Sequence, residues 1–322
     1  MSTSLSLIGK QIIIYGGLPV FIAGTVGGLL NTLVFLSLRT FRQSSCAFYL
    51  TIMSILSIIQ LCLALLARVI TAISSVDATE TSLFYCKSRL YLINTCNVIS
   101  MTCFCLATID QYCATCSNLH WQQFCNIKLA RRIIIIFIII WILHGIPYLV
   151  FYDHVSLPNT NKFICIVTNQ IFDQYRGFFM VLGLIGFLPI TIAALFGSMA
   201  FRNIKEMPYR TVPLVRRELD KQLTVMVLVQ VVVGIFGLLP YTTVFAVATN
   251  KNLTSDPVIQ AKLQFVTTVT VIIYYTYFAS PFYVYICVSE RFRKQLFYVL
   301  FNIHLNRWRR RRIIINHVAP ET

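Results

Sequence analysis

Two groups that could do chemistry stand at opposite ends of one long apolar stretch. The stretch runs from Cys86 to Tyr112, and its last residues include Asp110 and Gln111. As a helix rising 1.5 Å per residue it would be roughly 36 Å long, enough to cross the hydrocarbon core of a membrane. We therefore expect a thiol on an oxidising side and a carboxylate beside a hydrogen-bonding amide on a cytosolic side.

Most of the 11 cysteines are expected to have a packing role. The majority lie inside apolar runs, where cysteine behaves as a small buried hydrophobic side chain. Cys86 and Cys165 stand where a bridge at the outer face is geometrically sensible. Cys113, Cys116 and Cys125 cluster near the expected cytosolic face, where thiols stay reduced, so we interpret them as packing residues with reversible palmitoylation as the alternative.

The composition is that of a membrane protein. Of 322 residues, 57% are hydrophobic and 12% are charged, whereas about a quarter of a soluble domain is charged. A net charge of +16 would suggest nucleic acid in a soluble protein. In a polytopic membrane protein it raises instead the question of which loops carry the basic residues, and no nucleic-acid partner is expected.

Apolar runs of about 20 residues recur along the chain and predict an all-α membrane protein, a bundle of seven transmembrane helices. The predicted spans are 12–38, 47–72, 83–114, 133–152, 175–201, 222–248 and 262–287. The predicted regions are a short extracellular N-terminus at 1–11, the bundle at 12–287, a membrane-surface helix at 288–302 and a basic cytoplasmic tail at 303–322.

Basic residues predict the orientation. Most of the 27 Lys and Arg residues follow the first, third, fifth and seventh predicted spans. The positive-inside rule then places the N-terminus outside the cell and the C-terminus in the cytosol. Asn252, in the sequence Asn-Leu-Thr, falls on the predicted outer face and is a glycosylation candidate.

The segment after the seventh predicted span alternates basic and apolar residues at helical spacing. Phe292, Leu296 and either Val299 or Leu300 would share one face of a short amphipathic eighth helix lying on the inner leaflet. Trp308 and the four arginines that follow it could bind anionic membrane lipids, at about 1 kcal/mol per basic residue. A stop-transfer charge cluster is the alternative interpretation.

Several motifs together resemble the rhodopsin-like (class A) G-protein-coupled receptors over nearly the whole chain. Asn31 lies in a segment similar to the Gly-Asn-x-x-Val motif, which implies an interhelical polar hub. Cys86 precedes Asp110-Gln111-Tyr112 at the spacing that the family keeps between its cysteine and its Asp-Arg-Tyr motif. The remaining matches are Trp141, Pro189, Pro240 and Ser280-Pro281.

The resemblance implies a plasma-membrane receptor that transduces an extracellular peptide or small-molecule ligand to a heterotrimeric G protein. Span six would move about Pro240, and Cys86 would be bonded to Cys165. The resemblance implies that coupling and activation use Asp110, Gln111, Tyr112, Asp220, Pro240, Pro281 and Tyr285.

Departures from the family's motifs identify the chain as a divergent member. Gln111 stands in place of an arginine, so its expected contact with Asp220 becomes a neutral-to-charged hydrogen bond, which holds the resting state less tightly than an ion pair. The second predicted span has no carboxylate. Leu238 replaces a tryptophan, and Tyr285 falls one residue late.

Ligand contacts are expected in the outer halves of the bundle, where polar and aromatic groups surround an apolar cleft. Helix joining is the alternative role for such groups. Ile93 stands where amine receptors carry an aspartate and Tyr274 where opsins carry their lysine, so neither an amine ligand nor a retinal cofactor is expected. Charged ends of a peptide could meet Arg68, Asp77, Glu80, Arg89 and Asp153, unless these are solvated loop residues. The pocket candidates are Asn94, Asn97, Phe178, Tyr241, Phe245, Thr270 and Tyr274.

Enzymatic and transport functions have little support. The five histidines have no partners at metal-ligand spacing, so no catalytic residue, metal site or cofactor is predicted. No ionisable residue stands clearly at mid-membrane, which argues against a pump or coupled transporter. A non-signalling seven-span ligand-binding or scaffold protein remains the main alternative.

Overall fold

Seven long apolar helices form the fold. The computed structural model describes residues 2–156, 163–206, 214–248 and 257–305, and within these ranges seven helices are long and apolar enough to cross a membrane. The predicted seven-helix bundle is therefore confirmed. Spans 1 to 7 are Leu5–Ser37, Ser45–Ser74, Leu83–Thr115, Ile127–Phe151, Gln170–Lys205, Lys221–Ala248 and Val258–Ala279.

Three helices extend beyond these limits. The first begins at Ser2, within the predicted N-terminal segment. Residues 2–11 include no proline, and they approach span 7, since a Cβ on Gly9 would lie 3.9 Å from Thr268 Cγ2. The sixth runs over Leu214–Ala248. The seventh covers Pro257–Ala279 and continues as Pro281–Val288 after a break at Ser280, since a proline cannot donate the helical hydrogen bond.

Short elements connect the spans. Helices Arg39–Arg42, Ala78–Thr81 and Leu119–Gln123 lie between spans 1 and 2, 2 and 3, and 3 and 4. Between spans 4 and 5, strand β1 (Tyr152–Ser156) pairs antiparallel with strand β2 (Phe163–Val167). Polar caps define where four spans begin, because each accepts a backbone N–H of the first helical turn; they are Ser44, Ser82, Asn126 and Asn169.

Two spans contain wide, π-helical stretches. Leu61–Leu66 interrupts span 2, and nothing in its sequence accounts for it. Tyr175–Phe187 in span 5 precedes Pro189, whose ring cannot share space with the carbonyl one turn earlier. A wide turn shifts the helical register, so it changes which residues face the bundle beyond it.

The bundle is tightly packed inside and apolar outside. A Cβ on Gly24 would meet Leu61 and would lie 2.7 Å from the Ala279 Cβ, so this glycine lets spans 1, 2 and 7 approach closely. Large apolar side chains of span 4, such as Ile136 and Leu143, are exposed. Such a surface needs the apolar surroundings that a lipid bilayer provides.

The predicted eighth helix is present as Glu290–Phe297, followed by a wide stretch over Tyr298–Leu305. Phe292, Leu296 and Val299 are buried, which confirms the predicted apolar face. Lys294 Nζ donates to Glu290 Oε1 at 2.7 Å, and this hydrogen bond lowers the pKa of Glu290.

Candidate functional site

A disulfide closes one end of the bundle, which we call the disulfide end. Cys86, at the start of span 3, is bonded to Cys165 in β2, with their Cα atoms 6.0 Å apart. This confirms the expected pairing. The β1–β2 hairpin is attached at a second point, because His154 Nε2 lies 2.6 Å from the Thr79 carbonyl oxygen. The hairpin is thus held across this end of the bundle.

A cavity of about 490 Å³ lies at the disulfide end, a volume typical of small-molecule sites. Its walls come from spans 1 to 7, from the short helix after span 2 and from the hairpin. Five of the predicted pocket candidates line it, namely Asn94, Asn97, Tyr241, Phe245 and Tyr274.

The structure does not bring the other two candidates to this cavity. Phe178 is 50% exposed, and it lies within the wide stretch of span 5, whose register differs from the regular helix that the sequence analysis assumed. Thr270 is buried, and its hydroxyl donates to the Val266 and Thr267 carbonyls at 3.0 and 3.1 Å. Its polar group is thus satisfied within its own helix.

Positive charge predominates in the cavity. Four basic residues line it, Lys10, Arg68, Arg89 and Arg176, and Asp77 is the one acidic side chain among the described lining residues. Arg68, Asp77 and Arg89 are predicted from the sequence either to contact peptide ends or to be solvated loop residues. Lys10 and Arg176 are not among the predicted residues, although basic residues near predicted span ends are a usable signal.

All four cations have polar partners, and that of Arg68 is the Tyr275 hydroxyl. Arg176 Nη2 lies 2.6 Å from Asp173 Oδ1, and its guanidinium lies over the Phe245 ring. Arg89 Nε donates to the Leu63 carbonyl oxygen at 2.9 Å. Lys10 Nζ donates to the Ser75 hydroxyl at 3.2 Å.

The same cavity contains buried polar atoms that no described residue satisfies. Tyr148 donates its hydroxyl to Asn94 Oδ1 at 3.0 Å, which leaves Asn94 Nδ2 without a partner among the described residues. Gln60 Oε1 and Asn97 Oδ1 are also buried and have no hydrogen-bond partner within the described ranges. Burial raises the pKa of Tyr152, so its hydroxyl stays protonated at neutral pH and able to donate.

The opposite end, which we call the Gln111 end, is closed by a neutral hydrogen bond between spans 3 and 6. Thr224 donates its hydroxyl to Gln111 Oε1 at 2.8 Å, and Gln111 is 1% exposed. The Asp220 side chain is not described. Among the described side chains, Thr224 is thus a partner of Gln111, and the predicted contact with Asp220, one turn earlier along span 6, stays a prediction.

Asp110 points away from span 6. Its Oδ1 accepts from the Ser45 hydroxyl at 2.6 Å, and its carbonyl oxygen accepts from the Cys125 thiol at 3.3 Å. Tyr112 packs its ring against Phe196 in span 5, with the centroids 5.5 Å apart. Asp110, Gln111 and Tyr112 thus face three different neighbours.

Two predicted conformational residues are fully buried near this end. Tyr285 packs between Phe35 and Phe292, with ring centroids 6.1 and 5.8 Å away. The Tyr285 hydroxyl and Asn31 Oδ1 have no hydrogen-bond partner within the described part of the chain. Pro240 lies inside the span 6 helix, and Pro281 begins the last segment of the span 7 helix.

Compared with models of protein families, residues 30–288 match the family described as 7 transmembrane receptor (rhodopsin family). The chain belongs to this family. No curated protein matches it. Rhodopsin-family members are receptors rather than enzymes, and they signal through G proteins.

Part of this rhodopsin-family receptor lies outside the described residues. The glycosylation candidate Asn252 and the basic tail from residue 306 onward, which includes Trp308, are among those residues. In the described ranges, no group of three or more His, Cys, Asp or Glu side chains could hold a metal ion.

Proposed function

We propose that this receptor binds an extracellular ligand, a peptide or a small molecule, in the cavity and signals to a heterotrimeric G protein at the Gln111 end. The observation that carries the proposal is that span 6 reaches both sites. Tyr241 and Phe245 line the cavity, and Thr224 bonds to Gln111 at the other end. Pro240 lies next to Tyr241, so ligand contacts act beside a helical position that lacks a hydrogen bond.

The proposed orientation places the disulfide end outside the cell. Disulfides persist in oxidising compartments, which here means the extracellular side of the plasma membrane. The loops that follow spans 1, 3 and 5 emerge at the other end and are basic, as expected of cytosolic loops. The N-terminus is thus extracellular and the C-terminus cytosolic, and glycosylation of Asn252 remains a prediction.

Signalling follows from a shift between closed and open forms of the Gln111 end. A ligand favours the open form only if it binds that form more tightly than the closed one. The Gln111–Thr224 bond opposes opening by about 1 kcal/mol, as a typical neutral hydrogen bond does. Opening then exposes a crevice for the G protein that is bounded by Asp110, Gln111, Tyr112, Asp220 and Tyr285, with Pro281 and Asn31 supporting the movement of span 7.

The basic loop between spans 5 and 6 would add electrostatic attraction to the G protein and to lipid. Its sequence contains Arg210, Arg216, Arg217 and Lys221. This attraction would accelerate association without selecting a particular G protein.

A non-signalling binding protein is the second candidate, favoured by glutamine at position 111 and by Leu238, which is fully buried. Nucleotide exchange on purified heterotrimeric G proteins separates the two, with the chain in lipid nanodiscs. The unmodified receptor should accelerate exchange above empty nanodiscs, and Thr224→Val should raise it further without any ligand. If neither folded form accelerates exchange on any G protein of the panel, and Gln111→Arg does not either, the protein is a binder.

A further inference from the structure

We propose that the cavity recognises a carboxylate, which Arg68 binds while the organic body of the ligand fills the remaining space. The inference rests on the proposed function only in taking this cavity as the ligand site. Its physical basis is that Arg68 carries the one cavity guanidinium whose charge no described carboxylate neutralises by an ion pair.

The ion pairs separate Arg68 from the other two guanidinium groups of the cavity, and the Lys10 ammonium donates to the neutral Ser75 hydroxyl. Asp173 neutralises Arg176. Asp77 lies 3.9 Å from Arg89 Nη1, and it also accepts the Thr79 backbone N–H at 2.9 Å. The field of this one carboxylate reaches Arg68, but it is already shared by two other donors.

The surroundings of Arg68 are otherwise neutral. Its guanidinium lies beside the hydroxyls of Tyr275 and Tyr241. It is located roughly 9 Å along the helix from the Ser74 end of span 2, and it is an exposed residue that lines the cavity. An unneutralised charge inside a helical bundle is expensive and typically marks a functional site.

The neighbouring donors suit an anion. Asn94 is 7% exposed, and its Nδ2 has no acceptor among the described residues; the same is true of Arg176 Nε. Both residues line the cavity with Arg68. A guanidinium binds a carboxylate through two parallel hydrogen bonds, and the two additional donors would remain for the other lone pairs or for a polar group on the ligand.

Size and charge favour a carboxylate over a phosphate. Ile13, Val181, Ile185 and Phe245 supply apolar wall, and about 490 Å³ accommodates a small organic body. A phosphate monoester carries close to two charges at neutral pH, whereas Arg68, the one cavity guanidinium without an ion pair among the described residues, offers one. The carboxylate could belong to a free organic acid or to the C-terminus of a short peptide, because both present the same group.

Thermal unfolding of the purified full-length receptor tests the proposal without any G protein. The probes are 3-phenylpropionate and hexanoate, their primary amides, and a tripeptide mixture with either free or amidated C-termini. We expect at least one free-acid probe to raise the unfolding midpoint, with the matched amide needing at least tenfold higher concentration for the same shift. Stabilisation by 3-phenylpropionate or hexanoate would identify a free organic acid as the source of the carboxylate. Stabilisation by the tripeptides with free C-termini would identify a peptide C-terminus.

Substitutions then assign the selectivity to Arg68. Arg68→Gln should abolish the preference for acid over amide, and Arg68→Lys should retain part of it, because lysine keeps the charge but loses the two-pronged geometry. Lys262→Gln is the matched control, since it removes one positive charge from an exposed residue outside the cavity and should leave the preference unchanged.

The proposal is overturned if no carboxylate in the panel stabilises the receptor, if the amides stabilise it equally, or if Arg68→Gln keeps the preference. The comparison of acid with amide in the unmodified receptor stands even if a variant does not fold. Stabilisation by an acid without any nucleotide exchange would contradict the signalling proposal alone. Exchange stimulated equally by amides would contradict the carboxylate proposal alone.

Discussion

The two ends of the bundle treat polar groups in opposite ways. At the disulfide end, charged side chains surround a cavity, together with amide atoms that no described residue satisfies. At the Gln111 end, a neutral bond from Thr224 to Gln111 joins spans 3 and 6, and the Asp110 carboxylate accepts from Ser45 of span 2. Several charged groups thus line the cavity, whereas the described hydrogen bond between spans 3 and 6 is neutral.

The two ends also differ in what holds them together. The disulfide end has a covalent link between span 3 and β2, together with the His154 contact. The Gln111 end depends on hydrogen bonds and on packing around Tyr285, Phe35 and Phe292. A covalent tie at one end and a neutral bond at the other is the contrast that the proposed movement of the Gln111 end requires.

Breaking the disulfide should produce the largest effect. Cys86→Ser removes a link between residues 79 apart in the sequence, and the loop entropy released to the unfolded chain corresponds to about 4 kcal/mol. We expect a large loss of folded receptor, measured by labelling at the cell surface and by thermal unfolding. Cys62→Ser, at an exposed cysteine outside the disulfide, is the control and should behave as the unmodified protein. Equal stability of the two variants would contradict the role assigned to the tie.

Removing the neutral bond should have an intermediate effect. Thr224→Val keeps the side-chain shape but leaves Gln111 Oε1 without this donor, which shifts the closed–open equilibrium by about 1 kcal/mol, or about fivefold. Ligand-independent nucleotide exchange should rise by that factor. Thr243→Val is the control, because Thr243 is exposed and, within the described part of the chain, its hydroxyl bonds to the Leu239 carbonyl of its own helix. A rise of the same size in both variants would reject the bond as the cause.

Removing the Tyr285 hydroxyl should have the smallest effect on stability. No described residue pairs with this fully buried hydroxyl, so Tyr285→Phe should leave the unfolding free energy unchanged or raise it by up to about 1 kcal/mol. If the hydroxyl gains a partner in the open form, stimulated exchange should fall in the same variant. A loss of more than about 1 kcal/mol in thermal unfolding would show that the hydroxyl is already satisfied in the closed form.

Patterns of neighbouring residues in the sequence were sufficient to predict much of the architecture. Run lengths of apolar residues predicted seven spans, and helical spacing predicted the buried face with Phe292 and Leu296, because both depend on sequence alone. The disulfide followed from the family's motif spacing. Five pocket candidates reached the cavity because regular helical register holds over most of their spans.

The remaining features depend on backbone geometry and on the rotation of one helix against another. The wide stretch in span 5 displaced Phe178 from its expected face, and no local pattern marks the wide turn in span 2. The bond from Thr224 to Gln111 depends on how span 6 is rotated against span 3, which no local pattern gives. The β1–β2 hairpin forms in a segment whose strands are short, each five residues long.

The most direct test is the distance between spans 4 and 6 at the Gln111 end. Spin labels introduced through noncanonical amino acids at the exposed positions Lys128 and Lys221 report that distance by pulsed electron resonance. The neutral-bond account predicts that Thr224→Val adds a population with a longer distance, whereas Thr243→Val gives the distribution of the unmodified receptor. Identical distributions in all three proteins would contradict the claim that the Gln111–Thr224 bond holds this end closed.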